Sequence, residues 1–210
     1  ADAFPQDVVE LISYFEPARP GQAVQAVPGA GQEVPIWILG SSLFGAQLAA
    51  ALGLPFSFAS HFAPQLLPQA TAIYRERFTP SGRPGQLTKP YLMLGVNVVA
   101  ADTAEQARLL FTTVQQMFVA VRRGQPGQVP PPRPGFEQEL APWEHAALME
   151  MLSGSIVGGP EEVKQGLRDF VQRTGADELI VSSPIHDQGA KVRSFEILMD
   201  ANVEAGSASV

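Results

Sequence analysis

The sequence contains no cysteine, and this absence excludes several kinds of chemistry. The chain can form no disulfide, can offer no thiolate to a metal ion, and has no cysteine nucleophile. Basic residues are also scarce, since 14 Lys and Arg stand against 21 Asp and Glu, for a net charge of −7. Because the phosphates of a nucleic acid call for a basic protein face, nucleic acid is not a predicted partner.

Long apolar runs are absent as well. No stretch of ~18 uninterrupted apolar residues occurs, so the sequence predicts neither a membrane-spanning helix nor a membrane partner. The first residues show no basic segment followed by an apolar one, so no signal peptide is visible. The missing signal-peptide pattern and the lack of cysteine together lead us to expect a cytoplasmic protein. No pair of histidines has metal-ligand spacing, and no metal site is predicted.

Apolar residues nevertheless make up 45% of the 210 residues, which is enough for a substantial core in one domain over residues 1–210. Four apolar runs have strand character, starting near Ile36, Phe56, Tyr91 and Leu179. Amphipathic or helix-forming segments are predicted over residues 4–15, 43–52, 64–78, 105–123, 142–152, 160–174 and 190–199. This alternation predicts an α/β fold with parallel strands in chain order and helices outside.

Two segments interrupt the alternation. Residues 23–34 combine a weak alternation with a turn signal at 28–31, which predicts a short hairpin. Residues 124–153 begin with a Pro/Gly-rich stretch that favours extended, solvated chain, and continue into a short helix. An insertion of this size before the last repeat is where active-site lids often lie, so we predict a lid there.

The turn after the first strand is a candidate anion site. Gly40, Ser41 and Ser42 stand between a buried strand and an Ala/Leu-rich helix that must begin at the serines. Two hydroxyls and several unpaired backbone N–H groups therefore lie at the carboxyl end of a strand, an arrangement suited to a phosphate. A serine that only caps the helix is the alternative.

The strand at residues 91–100 contains two unusual residues. Gly95 indicates a bulge, or a close approach by another chain or a ligand. Asn97 is polar within an otherwise apolar strand, so it either contacts a ligand or is a hydrogen-bonded core asparagine. We keep it as a candidate substrate-binding residue.

Both a doubly wound sheet and a (β/α)8 barrel satisfy these repeats. Four strand–helix units after a helix with no preceding strand indicate half of a barrel, because the whole fold usually takes about 250 residues. No Gly-x-Gly-x-x-Gly follows any strand, and this weakens a dinucleotide-binding interpretation.

Several stretches carry a resemblance to a known family. The sequence WILGSS at 37–42, followed by AAALGLPF at 49–56, resembles the bacterial luciferase-like family of flavin-dependent monooxygenases. Residues 158–163 and 174–179 are similar to that family's last βα repeat. The similarity covers nearly the whole chain, but only the C-terminal half of the family's barrel, and the first four strands have no counterpart.

The resemblance implies an enzyme, a (β/α)8 barrel that uses reduced FMN and O2 on a small organic substrate. The deazaflavin F420 is the alternative cofactor. A flavin reductase as the source of reduced FMN and a homodimer are further expectations. The alternative function is a half-barrel without catalysis that binds a flavin or a partner chain. Since the end strands and the inner face are apolar, we expect the remainder of a barrel or a second copy to cover them.

The resemblance also implies roles for particular residues. Gly40, Ser41 and Ser42 match the family's loop that contacts the FMN phosphate. His61 follows the second strand, at the catalytic face of any barrel, where it is a candidate catalytic residue that hydrogen-bonds flavin or substrate. A purely structural histidine is the alternative. His145 and His186 are predicted to be solvated.

Overall fold

A computed structural model describes residues 3–32, 34–82 and 87–201. Within these residues the strands are β1 (Ile38–Gly40), β2 (Phe56–Phe58), β3 (Leu92–Ala100), β4 (Ile156–Gly158) and β5 (Glu178–Ser182). The helices are α1 (Phe4–Phe15), α2 (Leu43–Leu52), α3 (Leu67–Arg77), α4 (Ala104–Arg122), α5 (Pro142–Met151), α6 (Pro160–Thr174) and α7 (Gln188–Asp200). No helix in this part of the chain is both long and apolar enough to cross a membrane.

All strand pairs are parallel, and the strands expected from the sequence pair in chain order. Strand β1 pairs with β2, β2 pairs with β3, and β3 pairs with β5. The register aligns Leu39 with Ser57, Ser57 with Met93, and Met93 with Glu178. The predicted parallel α/β order is therefore confirmed.

Strand β4 corrects the prediction of four strands. The sequence pattern predicts no strand at Ile156–Gly158, but these residues pair with Val98–Ala100 of β3. Three residues are too few to show a period, and the glycines and Pro160 that follow dominate the local signal. The three residues of β4 therefore carry no strand signal of their own in the sequence.

Strand β4 lies along the same edge of β3 as β2. Tyr91 accepts a hydrogen bond from the Phe56 N–H at 3.1 Å, and the Ala101 N–H donates to Gly158 at 3.2 Å. Because successive peptide groups of a strand point to opposite edges, odd-numbered residues of β3 face both β2 and β4. Strand β2 pairs up to Leu94 and β4 pairs from Val98 onward. Residues 95–97 form an edge gap between them.

One face of the sheet packs against helices and contributes to the main core. Ile38, Phe56, Phe58, Leu92 and Leu94 belong to this core together with side chains of α2, α3, α6 and α7. On the opposite face Leu39 and Ile180 are 70% and 52% exposed. The described chain thus covers one face of a parallel sheet, as expected of a partial (β/α)8 barrel.

A glycine ends α2, and one buried hydroxyl fixes α3 to the chain at the starts of β2 and β3. Helix α2 ends at Gly53, which has φ 65°, and the Leu54 N–H donates to Ala49 at 3.0 Å. This left-handed ending is typical of a helix stopped by glycine. The Tyr74 hydroxyl of α3 is buried and lies 2.9 Å from Leu54 O and 3.1 Å from Tyr91 O.

The predicted hairpin and the predicted start of the first strand were wrong. Residues 23–32 and 34 contain turns but no strand, so the predicted hairpin is not present in the described residues; Glu33 lies outside them. Val24 and Val27 are 59% and 89% exposed, so the weak alternation has no buried face to support a strand. The first strand begins at Ile38 rather than Ile36, because pairing starts where the Ile38 N–H reaches the Pro55 carbonyl at 3.1 Å.

The predicted extended segment after α4 lies against that helix. Prolines lack an N–H, so this segment cannot form a regular strand ladder. Side chains of α4 bind it instead: Thr113 donates to Pro130 O at 3.0 Å and Gln116 to Pro131 O at 2.9 Å. Val119, Phe136 and Leu148 form a small core of their own beside it. The lid function of this insertion stays a prediction.

Candidate functional site

The turn after β1, residues 40–42, carries two serines that are open to solvent. Ser42 is the N-cap of α2 with an extended backbone (φ −131°, ψ 163°), and its side chain makes no capping hydrogen bond. Ser41 and Ser42 are both exposed. The helix start predicted from sequence is confirmed, and the Ser42 hydroxyl is not used by the helix that it precedes.

The end of β2 lies directly beside this turn. The Ala59 N–H donates to the Gly40 carbonyl at 2.9 Å. Ser60 and His61 follow Ala59, so the serine turn and His61 occupy neighbouring positions at the carboxyl ends of β1 and β2. The structure therefore brings together two groups of residues that the sequence predicts separately.

The imidazole of His61 packs closely against Gly95 of β3. A Cβ added at Gly95 would lie 2.7 Å from Cε1 of His61, closer than real Cβ atoms approach another group. The Ser60 hydroxyl donates to the Gly95 carbonyl, while the Ser60 N–H donates to Phe58 O at 2.8 Å. The Ser60 hydroxyl thus supplies the hydrogen bond that a neighbouring strand would otherwise make at the edge gap. The His61 imidazole packs against Gly95.

Burial favours the neutral form of the His61 ring. Burial lowers the pKa of His61 below its ordinary value, and the Gly95 backbone offsets part of this effect. The Nδ1 atom is buried and makes no hydrogen bond to any described residue. A neutral imidazole can donate one hydrogen bond and accept another, so His61 has hydrogen-bonding capacity left for a ligand or water.

Replacing Gly95 with alanine is expected to push the His61 ring toward solvent. The pKa of His61 should then rise toward its ordinary value of about 6.5, because the burial that lowers it is lost. An NMR titration of the imidazole protons measures this shift, with His61→Gln used to assign the resonance. Gly154→Ala is a matched control, since its added Cβ meets only Pro64 at 3.9 Å. An unchanged pKa in Gly95→Ala would contradict the proposed packing.

The remaining predicted residues are placed as follows. Asn97 is 7% exposed, lies two positions beyond Gly95, and stands in register with Ser182 of β5. Its role in substrate binding stays a prediction. His186 is exposed but its Nδ1 lies 2.9 Å from the Val129 carbonyl, so its side chain is tethered rather than simply solvated. His145 Nε2 lies 3.8 Å from a carboxylate oxygen of Glu137.

Sequence reasoning missed Ser60 and Arg173. Ser60 is buried at 4% exposure and directly precedes His61, and a polar pair after an apolar strand was the signal that could have found it. Arg173 lines the same cavity as His61 although it lies on α6. Nothing in its helical pattern distinguishes it from other exposed arginines.

Comparison with known proteins decides the family. The chain matches the model of the family described as luciferase-like monooxygenase over residues 10–178. The chain belongs to the luciferase-like monooxygenase family. It is 48% identical over 203 residues to a luciferase-like monooxygenase of Escherichia coli K12, covering 97% of this chain and 60% of that relative. The crystal structure of apo-MsnO8 has 28% identity and a TM-score of 0.77, over 96% of this chain and 60% of that one.

This luciferase-like chain therefore spans about 60% of the length of the curated relatives it matches. Two more distant structures share the fold alone. The oxygenating constituent of 3,6-diketocamphane monooxygenase from Pseudomonas putida, in complex with FMN, has a TM-score of 0.54 at 17% identity, over 86% of this chain and 50% of that one. A coenzyme F420 dependent tetrahydromethanopterin reductase from Methanopyrus kandleri has a TM-score of 0.54 at 13% identity, over 94% and 62%.

Proposed function

We propose that this chain forms part of a flavin-dependent monooxygenase and binds the phosphate of FMN at residues 40–42. One observation carries the proposal: Ser41 and Ser42 are exposed at the start of α2, and the Ser42 hydroxyl makes no bond to that helix. Hydroxyls and unpaired N–H groups at a helix N-terminus fit a dianionic phosphate. Membership of the luciferase-like monooxygenase family supports the reaction class.

The residues of this chain bind and orient, while the cofactor carries the oxygen chemistry. Reduced FMN supplies the electrons for the reaction of O2 with a small organic substrate. His61 offers an uncharged donor or acceptor next to the serine turn, because burial keeps its pKa low. Asn97 would offer an amide to the substrate from the same carboxyl end of the sheet. A separate flavin reductase as the source of reduced FMN and a second copy of the chain are proposed partners.

Replacing both Ser41 and Ser42 with alanine is expected to weaken FMN binding at least several-fold. Each lost hydroxyl bond is worth about 0.5–1.5 kcal/mol, and up to about 3 kcal/mol when the acceptor is charged. Quenching of flavin fluorescence during titration measures the affinity.

Riboflavin, which lacks the phosphate, is the control ligand for this experiment. Its affinity should be the same in the parent and in the double variant, because the deleted hydroxyls have no phosphate to contact. If FMN binds both proteins equally well, the phosphate lies elsewhere. If the affinity for riboflavin also falls, the double substitution has disturbed the site as a whole.

F420 is the alternative cofactor, and the shared fold with an F420 dependent reductase supports keeping it. The absorbance spectrum of the purified protein separates the possibilities, since bound FMN, bound deazaflavin and an empty protein absorb differently. A deazaflavin spectrum would replace the monooxygenase proposal with an F420-dependent oxidoreductase. A protein that takes up neither cofactor would favour the non-catalytic, partner-binding alternative.

A further inference from the structure

A cavity of about 240 Å³ lies at the edge gap of β3, between the loop after β2 and helix α6. Its volume is several times the roughly 30 Å³ that one water molecule occupies in the liquid, so it has room for a small organic molecule. Ser60 and His61 of the loop after β2 line it, together with Arg173 of α6. The proposed FMN phosphate turn contributes no residue to this lining.

The polar groups of the cavity are cationic or hydrogen-bonding, and none is acidic. Among the described residues, Arg173 forms no ion pair, and its guanidinium carbon lies 5.6 Å from the centre of the Phe170 ring. Nδ1 of His61 is buried without a hydrogen-bond partner, and a buried polar atom of this kind calls for a water or a ligand. In a chain of net charge −7, a cavity with a cation and no carboxylate favours an anion.

The other walls of the cavity are apolar. Leu67 and Phe170 belong to the main core and are 8% and 3% exposed, and Pro64 and Pro68 complete this side. The parts of these side chains that reach the cavity stabilise hydrocarbon by contact, whereas a simple inorganic anion would gain nothing from them. The lining therefore fits a molecule with one negative charge and a short apolar part.

We propose that this cavity binds a small aliphatic monocarboxylate. Its carboxylate pairs with Arg173, its hydrocarbon chain packs against Leu67 and Phe170, and the ligand fills the space in front of the His61 ring. Arginine suits this role because its planar guanidinium donates two parallel hydrogen bonds to a carboxylate. The lining contains His61 but no residue of the proposed FMN turn, and the proposal does not require a bound flavin.

Titration of the flavin-free protein with sodium butyrate tests the proposal, at constant ionic strength maintained with sodium chloride. The imidazole resonances of His61 should shift saturably, because the ligand fills the cavity beside the ring. Butyramide has the same shape without the charge, and it should bind at least about fivefold more weakly if the carboxylate is recognised by a cation. Equal binding of butyrate and butyramide, or a shift that does not saturate, would overturn the proposal.

Variants of α6 identify the cation. Arg173→Gln should weaken butyrate binding at least about fivefold, whereas Arg173→Lys, which keeps the charge, should retain most of it. Arg168→Gln is the matched control, since Arg168 is an exposed arginine of the same helix that does not line the cavity. Butyrate affinity that is unchanged in Arg173→Gln sinks the assignment. FMN affinity should be the same in this variant, so the two proposals succeed or fail separately.

Discussion

Replacing Gly53 with alanine is expected to lower the free energy of unfolding by more than about 3 kcal/mol. Gly53 has φ 65°, a conformation that costs a residue with a side chain about 1–2 kcal/mol. An added Cβ would also lie 2.6 Å from both the Ser81 nitrogen and the Thr79 oxygen. Because these are backbone atoms, the loop that follows α3 must shift away from the end of α2. Urea denaturation of the parent and the variant measures the loss.

Gly124→Ala is the matched control for this change. Gly124 also follows the end of a helix at positive φ, 70°, but an added Cβ there meets no described atom within 4 Å. It should cost only the conformational term of about 1–2 kcal/mol. Equal losses in the two variants would show that the contact with the Thr79–Ser81 backbone is unimportant.

The second large effect is expected for Tyr74→Phe, at about 2–4 kcal/mol of unfolding free energy. The Tyr74 hydroxyl accepts the Tyr91 N–H at 3.0 Å and lies within donating distance of the Leu54 and Tyr91 carbonyls. Phenylalanine keeps the ring but removes the partner of the Tyr91 N–H and of the Leu54 carbonyl, at about 1–3 kcal/mol for each buried group left unpaired, whereas the Tyr91 carbonyl keeps its bond from the Phe56 N–H. Urea denaturation checks the size. Tyr14→Phe, whose hydroxyl bonds only Glu10 at the surface, should change stability by less than about 0.5 kcal/mol.

The free energy of unfolding of Tyr74→Phe should also depend less on pH than that of the parent. Burial raises the pKa of Tyr74 to about 12, while a tyrosine in the unfolded chain titrates near 10. The unfolded state therefore loses this proton first, and the contribution of Tyr74 is fully present below pH 10 and is lost as the pH rises toward 12. The decline in stability over this interval should be shallower in Tyr74→Phe. Identical slopes would mean that the Tyr74 hydroxyl is not held as described.

The sequence predicts best where strong local signals bound an element. Helix α6 begins at Pro160 and ends before a left-handed Gly175, and its predicted limits agree with the structure. Strand β5 was predicted over its full length because five residues suffice to show its character. Strand β4 and the absent hairpin show the limit, since both were decided by whether a neighbour or a core was available to a weak segment.

The candidate site divides in the same way. Parallel strands bring their carboxyl ends to one edge, so the proximity of the serine turn to His61 follows from the predicted order. The glycine in β3 signalled a close approach, but its partner could not be named. The position of His61 depends on the end of β2 and on the gap before β4, and neither is encoded locally. Arg173 reaches the same cavity only through the packing of α6.

The small core of Val119, Phe136 and Leu148 is separate from the main core beneath the sheet. A few buried side chains and the bonds from α4 hold the insertion against that helix, whereas the sheet is held by a far larger core. Local opening in such a structure draws only on the interactions of the segment that opens. We therefore expect the insertion to open more readily than the strands that carry the serine turn and His61.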